Sequence, residues 1–429
     1  MATNKLKLFI LFTGFVLPGL TNNAAAQSTD TLKLSLPVAE QLFIRNNYQL
    51  IAQNYQTDQA KADIITARLF DNPELEAETQ LYNSETKRFF ETSRTQGQYS
   101  ASISQLIKLA GKRNKNIQLA TAGVKLNEYQ YFDLMRTLRY NLRSNFYKTY
   151  YAQQSAKVYE EQINSLKKLL AASEEQLKAG NIAMKDMIRI KSLLYSLQTE
   201  YNNLENDIED RETDLKLMTN VKPDANLQLV MDPSEEQNYQ LSKSVYVNLL
   251  DSARNNRADL KMSQAGITYA EKNLTLQKAM AVPDVQFSLL YDLQGSYPNN
   301  YVGLGMHIPI PLFNRNQGEI KKAKVAIDAG RNMLNQQEST LENEVFNSYQ
   351  SALRTERLYD GFDKNFNSDF DKLIGEVVKN FKNRNMSLIE FMDFYDSYKQ
   401  NTLQMNDLKY QRMNAKEEMN YVTGSTIFK

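Results

Sequence analysis

The sequence predicts a mainly α protein with a small β part, built as two similar halves. Each half is a helix, two strands and a long helical hairpin. Three observations predict this. From Gly111 to Lys178 there is no proline and, within the stretch, one glycine, Gly123, so it can run as a single helix. At 1.5 Å rise per residue that helix is on the order of 100 Å long, against about three turns for an ordinary one. Two pairs of short segments alternate apolar and polar residues with period two, the mark of strands. Landmarks also recur at a near-constant offset. Pro73 and Pro283 are 210 apart, as are Leu50 and Leu260; Arg113-Asn114 and Arg315-Asn316 are 202 apart. Asn181 and Asn385 are 204 apart, as are Thr219-Asn220 and Thr423-Gly424. Such a repeat is far longer than the 20–50-residue period of solenoids. It implies two halves with a pseudo-twofold relation.

Composition narrows the class. The 429 residues carry a net charge of +1 with 24% charged residues, which argues against a nucleic-acid binder with its basic footprint. Cysteine is absent and His307 is the only histidine. That leaves no disulfide, no thiolate metal site and little for side-chain catalysis or zinc chemistry to work with. No catalytic residue, metal site or cofactor is expected. Residues 1–26 read as a secretory signal peptide: Lys5 and Lys7, then the apolar run Leu8 to Val16, then Ala24 and Ala26 before a mature start at Gln27. After it no apolar run is long enough for a spanning helix, so the exported chain is either soluble or crosses a membrane as strands.

The first half covers residues 27–220. Leu36, Ala39, Leu42, Phe43, Leu50, Ile51, Ile64 and Ile65 recur at helical spacing, with a possible break at Asn46-Asn47, and Asn72-Pro73 stops the helix. A strand at about 74–82 puts Leu75, Ala77, Thr79 and Leu81 on one face and Glu74, Glu76, Glu78 and Gln80 on the other. A polar loop spans Asn83 to Gly97. The second strand, about 99–108, alternates Tyr99, Ala101, Ile103, Gln105 and Ile107 with Ser100, Ser102 and Ser104. The hairpin, about 111–220, turns at Lys178-Ala179-Gly180-Asn181. An irregular linker, 221–232, leads to the second half, 233–429. There a helix runs from Leu241 to Ala279, with strands at about 284–293 and 301–310. The second hairpin, about 315–422, has one helix to Lys382 and a turn at Asn383-Arg384-Asn385.

Four strands cannot close on themselves, and an open sheet exposes its edges. Small barrels need about 8 strands; three copies of this chain supply 12. Closure predicts a small β-barrel part, with the Glu/Ser face lining water and the Leu/Val/Phe face meeting lipid. Tyr82, Tyr99, Tyr291 and Tyr301 lie near strand ends, where membrane barrels carry aromatic girdles. The strands alone also allow a soluble sheet capping a helical domain. In the first hairpin, Val158, Ile163, Leu166, Leu169, Leu170 and Leu177 form one stripe. Ile188, Leu193, Leu197, Leu204, Ile208 and Leu215 form another. Such stripes pair helices, either in the wall of a hollow tube or in a plain coiled-coil stalk.

Two junctions carry a family resemblance. Gln105-Leu-Ile-Lys-Leu-Ala-Gly-Lys-Arg-Asn114 and Ile308-Pro-Ile-Pro-Leu-Phe-Asn-Arg-Asn-Gln-Gly318 resemble the strand-to-helix junctions of the TolC-family outer membrane efflux proteins. The similarity is nearest to the cobalt-zinc-cadmium resistance branch. With the duplicated architecture and the paired turns, it covers essentially the whole mature chain. It implies a homotrimer in the outer membrane of a Gram-negative bacterium, with a 12-stranded β-barrel in outer membrane lipid and a long α-helical barrel in the periplasm. The implied partners are a periplasmic adaptor (membrane fusion protein) and an inner membrane pump of the resistance-nodulation-division (RND) class. The implied cargo is heavy-metal cations or small toxic compounds. Some relatives carry an acylated N-terminal cysteine; this chain has none.

The resemblance also implies site residues. The two turns form the periplasmic tip, with Gly180, Asn181, Met184, Arg384, Asn385 and Ser387 meeting the adaptor. Gly180 suits the left-handed position that ends a helix; Arg384 stands where the second turn usually has glycine. Glu390 and Asp393, three apart on one helix face, match lumen-facing carboxylates of the periplasmic gate. Asp186 is the first-half counterpart of Glu390, and Arg189 stands in place of Asp393. Three copies would make acidic rings favouring cations; read without the family, these are ordinary solvated charges. His307 falls on the Tyr301/Gly303/Gly305 face and reads as structural or lumenal. Arg113 and Arg315 read as ties between barrel rim and helix. Alternative functions are a duct for type I protein secretion or multidrug export and, outside channels, a soluble periplasmic coiled-coil adaptor. An exported enzyme is disfavoured by the lone histidine and the lack of a G-x-S-x-G motif.

Overall fold

The computed structural model describes residues 31–237, 245–295, 297–362, 366–383 and 385–428. The expected signal peptide, the first residues of the helix begun at Leu241, and Arg384 lie outside the described residues. The elements in order are β1 Thr31–Ser35, α1 Leu36–Asn46, α2 Tyr48–Arg68, β2 Glu74–Thr79, β3 Tyr82–Asn83, β4 Arg88–Phe89 and β5 Tyr99–Ile107. Then come α3 Lys112–Lys178, α4 Met184–Thr219, β6 Asn226–Val230, α5 Ser234–Gln237, α6 Tyr246–Asn256 and α7 Ala258–Met280. The chain ends with β7 Val285–Asp292, β8 Tyr301–His307, α8 Gln317–Asp360, α9 Phe366–Lys382 and α10 Leu388–Thr423.

The 67-residue α3 is continuous, as its lack of proline allows. It packs against α2 and α4, and against α7 and α10; α8 in turn packs on α7 and α10. The protomer is therefore a wall of helices in the order α2/α4, α3, α7/α10, α8. The four-stranded antiparallel sheet has the order β2-β5-β7-β8. Each strand joins the helix of the same rank, so sheet and helices form one continuous wall with two free edges.

Within the wall, shorter helices meet end to end. Asn47 breaks the first helix in an extended conformation. Its side chain accepts from the N–H groups of Gln49 and Leu50, capping α2, and donates to the Met218 carbonyl near the end of α4 (3.1 Å). The second half repeats this with Arg257, also extended, between α6 and α7. There the end of α10 abuts it, with Gly424 against the Arg257 backbone. The C-caps Asn220 and Gly424 are both left-handed. The 210- and 204-residue offsets thus mark two copies of one joint.

Four features depart from the sequence reading. The linker holds β6, which pairs in parallel with β1 from Thr31↔Asn226 to Ser35↔Val230. Both strands are only five residues long, and they bury Leu34, Leu227 and Leu229 under α1 and α3. The loop after β2 contains the small hairpin β3–β4. The helix read from 241 to 279 breaks at Arg257. The helix read from 315 to 382 ends first at Gly361, before α9. The helical residues pack in three cores: around Phe43, Leu142 and Phe146; around Leu341 and Val345; and, nearer the turns, around Leu166, Leu197 and Phe391. Fully burying one such side chain is worth about 1.5–3 kcal/mol.

Candidate functional site: the polar sheet face and the hairpin turns

The sheet register sorts the side chains as the alternation predicted. On one face Leu75 pairs with Ile103, Ile103 with Leu289, and Leu289 with Leu304; Phe287 pairs with Met306. Leu75 and Leu304 are 77% and 82% exposed, so a broad apolar surface stands uncovered on a single protomer. On the other face Glu74, Glu76 and Glu78 pair with Ser104, Ser102 and Ser100, and Ser100 with Asp292. None of the four strands contains a lysine or arginine. The carboxylates of the polar face, Glu74, Glu76, Glu78 and Asp292, therefore face no lysine or arginine within the sheet; serines lie between them, with Leu106, Gln286, Leu290, Tyr301 and His307 as the other large members.

Tyr99 and Tyr291 share the apolar face near the end remote from the helices (ring centroids 6.2 Å apart), the position that a girdle would need. Tyr301 departs from it: it sits on the polar face, packed over Gly303. Tyr82 pairs with Phe89 in the small hairpin. At the helix end of the sheet Lys112, nearly buried, donates to Asp284 and to the Val282 carbonyl, both at 2.6 Å. Arg113 donates to the Arg68 carbonyl (2.7 Å) and lies over the Phe70 ring. It ties the start of α3 to the end of α2 and the connection that leads to β2. For Arg315 the structure gives a backbone contact, its N–H donating to Gln317. His307 lies exposed on the polar face beside Gln286.

The first turn closes as a Schellman motif. Asn181 N–H donates to the Gln176 carbonyl (2.8 Å) and Gly180 N–H to the Leu177 carbonyl (2.9 Å), with Gly180 left-handed at φ +73°. Met184 and Ile188 are more than half exposed, so the apolar stripe of α4 is uncovered at its tip. Asp186 is half-buried in the first turn of α4. The second turn closes with the equivalent bond, Asn385 N–H to the Asn380 carbonyl (2.9 Å).

Ser387 then caps α10 in a reciprocal box with Glu390. Ser387 N–H and Oγ–H donate to Glu390 Oε2 (2.9 and 2.7 Å), and Glu390 N–H donates to Ser387 Oγ (3.3 Å). The Ser387 hydroxyl and then its N–H hold the Glu390 carboxyl below its usual range. Glu390 is thus occupied in capping, while Asp393, one turn on, is exposed to solvent.

Residues that join the two hairpins were not legible beforehand. Tyr395 on α10 donates to the Gln162 carbonyl on α3 (2.8 Å). Lys399 on α10 donates to Glu200 on α4 (2.9 Å), which also accepts from Tyr159 (3.1 Å). Nearer the end-to-end joints, buried Arg257 binds Asp259 and Glu344; Asp259 also accepts from Arg136 (3.2 Å) and Gln337 (2.8 Å). Arg143 forms a bidentate pair with Glu417 and reaches Glu40. Glu235 and Glu236 of α5 accept from Tyr147 and Tyr151, fastening the link between halves to α3. Charges that look like a solvated face in one helix become partners once a distant helix supplies the counter-ion.

Among the described residues no group of three or more His, Cys, Asp or Glu side chains could hold a metal ion, and no helix is long and apolar enough to cross a membrane.

Comparison with known proteins places this arrangement. The family model described as Outer membrane efflux protein matches residues 40–221 and 249–358. The chain is similar to the cobalt-zinc-cadmium resistance protein CzcC of Cupriavidus metallidurans, with 23% identity over 294 residues, 68% of this chain. That match spans 66% of the relative's own length. Among solved structures, the CmeC outer membrane channel of Campylobacter jejuni superposes with a TM-score of 0.71 at 15% identity, covering 91% of this chain and 86% of that one. CusC, whose structures concern folding and transmembrane channel formation, gives a TM-score of 0.73 at 14% identity, with 95% of each chain covered. At such identities the superpositions establish the fold.

Proposed function

Because the chain belongs to the outer membrane efflux protein family, we propose that it is the outer membrane exit duct of a tripartite exporter, with three copies closing one channel. The observation that carries this is the wall with two free edges. β2 and β8 each leave one side unpaired, and α2/α4 and α8 end the same two edges. A head-to-tail ring buries both edges without altering any protomer. Three walls give 12 strands, with acid and serine inside and the apolar band against lipid. The helices then form a tube that ends at the two turns.

In this reading Gly180, Asn181, Met184, Arg384, Asn385 and Ser387 meet the tip of a periplasmic adaptor, which links the duct to an inner membrane RND pump. Asp186, Glu390 and Asp393 form the periplasmic gate, with Asp393 the freest of the three. The cargo is heavy-metal cations or small toxic compounds. Similarity to a cobalt-zinc-cadmium resistance protein and the acid-lined sheet face support the cation arm.

The first test is detergent extraction of sedimented outer membrane, followed by size-exclusion light scattering. A trimer from that fraction is expected. A monomer in the periplasmic fraction would mean that the strands do not close across copies, and the duct would be refuted. Tolerance of a deletion strain to zinc, cobalt, cadmium and organic toxicants then separates the cargo classes.

A further inference from the structure

At the end of the sheet remote from the helices, two aromatic rings stand over the polar face. Tyr301, the first residue of β8, lies across Gly303. A Cβ at Gly303 would come within 2.5 Å of that ring, so any side chain there would push it away. Tyr297, in the β7–β8 connection, stacks on Tyr301 with centroids 4.2 Å apart and planes 12° apart. Tyr297 also lines one concavity with Glu76, Glu78 and Asp292, which puts the stack on the acidic side of the sheet. The connection is held at both ends. Asp292 accepts from Gly295 N–H (2.8 Å), and Tyr291 donates to Asn300 (3.2 Å). An offset stack adds about 0.5–1.5 kcal/mol to the area it buries. The position is thus built, although Tyr297 itself is 48% exposed.

The geometry points to a second constriction at the outer mouth, where Tyr297 and Tyr301 set the largest cargo that can leave. This rests on the reading of the sheet as one third of a water-filled barrel. Twelve strands about 4.8 Å apart and tilted about 40° enclose on the order of 24 Å between backbones. Three stacks, each two rings deep, stand inward from that circumference at one level. They leave the narrowest passage of the membrane section at its outer end, far from the hairpin turns. Its rings narrow the passage and so discriminate by size, while Glu78 and Asp292 at the same level and Glu74 and Glu76 further in act on charge.

The chain has no cysteine, which allows a clean test in intact cells. Ser104→Cys places one thiol on the polar face, further in than the stack. It is probed from outside with a small thiol reagent and with a maleimide carried on a short polyethylene glycol. The small reagent is expected to label and the bulky one to be excluded. Adding Tyr297→Ala or Tyr301→Ala should admit the bulky reagent, while Tyr297→Phe, which keeps the ring, should not. Bulky labelling that is complete before either alanine change, or still absent after both, overturns the constriction. Absence of labelling by even the small reagent in every variant overturns the water-filled barrel itself, and the duct with it.

Discussion

Replacing Lys399 with methionine tests whether the two hairpins are latched. Lys399 is 5% exposed. Its ammonium donates to Glu200 at 2.9 Å and pairs with Asp396 at 3.2 Å. Methionine fills similar space and removes only the charge. A hydrogen bond to a charged group contributes about 1.5–3 kcal/mol. The Glu200 side chain is 39% exposed, so solvent screening reduces this to about 1 kcal/mol per copy. That is about a fivefold shift, per copy, toward separated hairpins.

The pH dependence follows from the same pair. Burial pushes the Glu200 carboxyl up, but the Lys399 hydrogen bond and charge outweigh it, and the net position is below the ordinary 4.5. That contribution is present above pH 4.5 and is lost as pH falls through the depressed value. Burial likewise opposes the Lys399 ammonium, and Glu200 and Asp396 raise it above its ordinary 10.5. That contribution is present below pH 10.5 and is lost as pH rises through the raised value. The latch therefore holds across neutral pH. In planar bilayers Lys399→Met should raise open probability at pH 7, and acidification of the unaltered protein should do the same. A double-mutant cycle with Glu200→Gln isolates the pair. Zero coupling, with unchanged open probability, would refute the latch.

Four other outcomes are expected. Arg257→Met leaves Asp259 buried with a lost partner and should cost about 3–5 kcal/mol, seen as a large fall in Tm in detergent; an unchanged Tm would show that Arg136 and Gln337 suffice. Leu304→Arg puts a charge on the apolar face and should cost about 2–4 kcal/mol if that face meets the bilayer midplane, depleting the protein from the outer membrane fraction; normal insertion would place the face elsewhere. Ser387→Ala removes the cap of α10 at a cost of about 1 kcal/mol and lets the Glu390 carboxyl rise toward its ordinary value, measurable by NMR titration; a Glu390 titration that does not move counts against the capping box. Glu390→Ala with Asp393→Ala should raise single-channel conductance or weaken cation preference, and identical conductance and selectivity would remove both from the gate.

Much of the architecture was legible because it rests on local periodicity. The 67 residues of α3 carry their helical signal along the chain, with no proline to break it, and the alternation from Glu74 to Thr79 specifies its own two faces. The repeat was legible because both halves keep their punctuation: Pro73 with Pro283, Asn220 with Gly424. The turns were legible because left-handed Gly180 and six-residue closures are local geometry, while their role as a tip came from the resemblance. The gate carboxylates came from resemblance alone; the Ser387-Leu-Ile-Glu390 spacing of a capping box is the signal that separates Glu390 from Asp393.

Tertiary structure decided what depends on residues far apart in the chain. β1 and β6 lie at opposite ends of the first half of the chain, and their pairing is decided by α1 and α3, which bury Leu34, Leu227 and Leu229. Nothing in the sequence around Lys399, Arg257 or Arg143 announces a distant partner. Lys399 and Arg257 are buried and Arg143 half-buried because helices more than fifty residues away in sequence deliver Glu200, Glu344 and Glu417. The ring of Tyr301 comes to rest over Gly303 with Tyr297 upon it, which alternation alone could not set. A helix or strand is specified by neighbours along the chain. An ion pair or a ring stack is specified by neighbours in space, and those exist only once the wall is assembled.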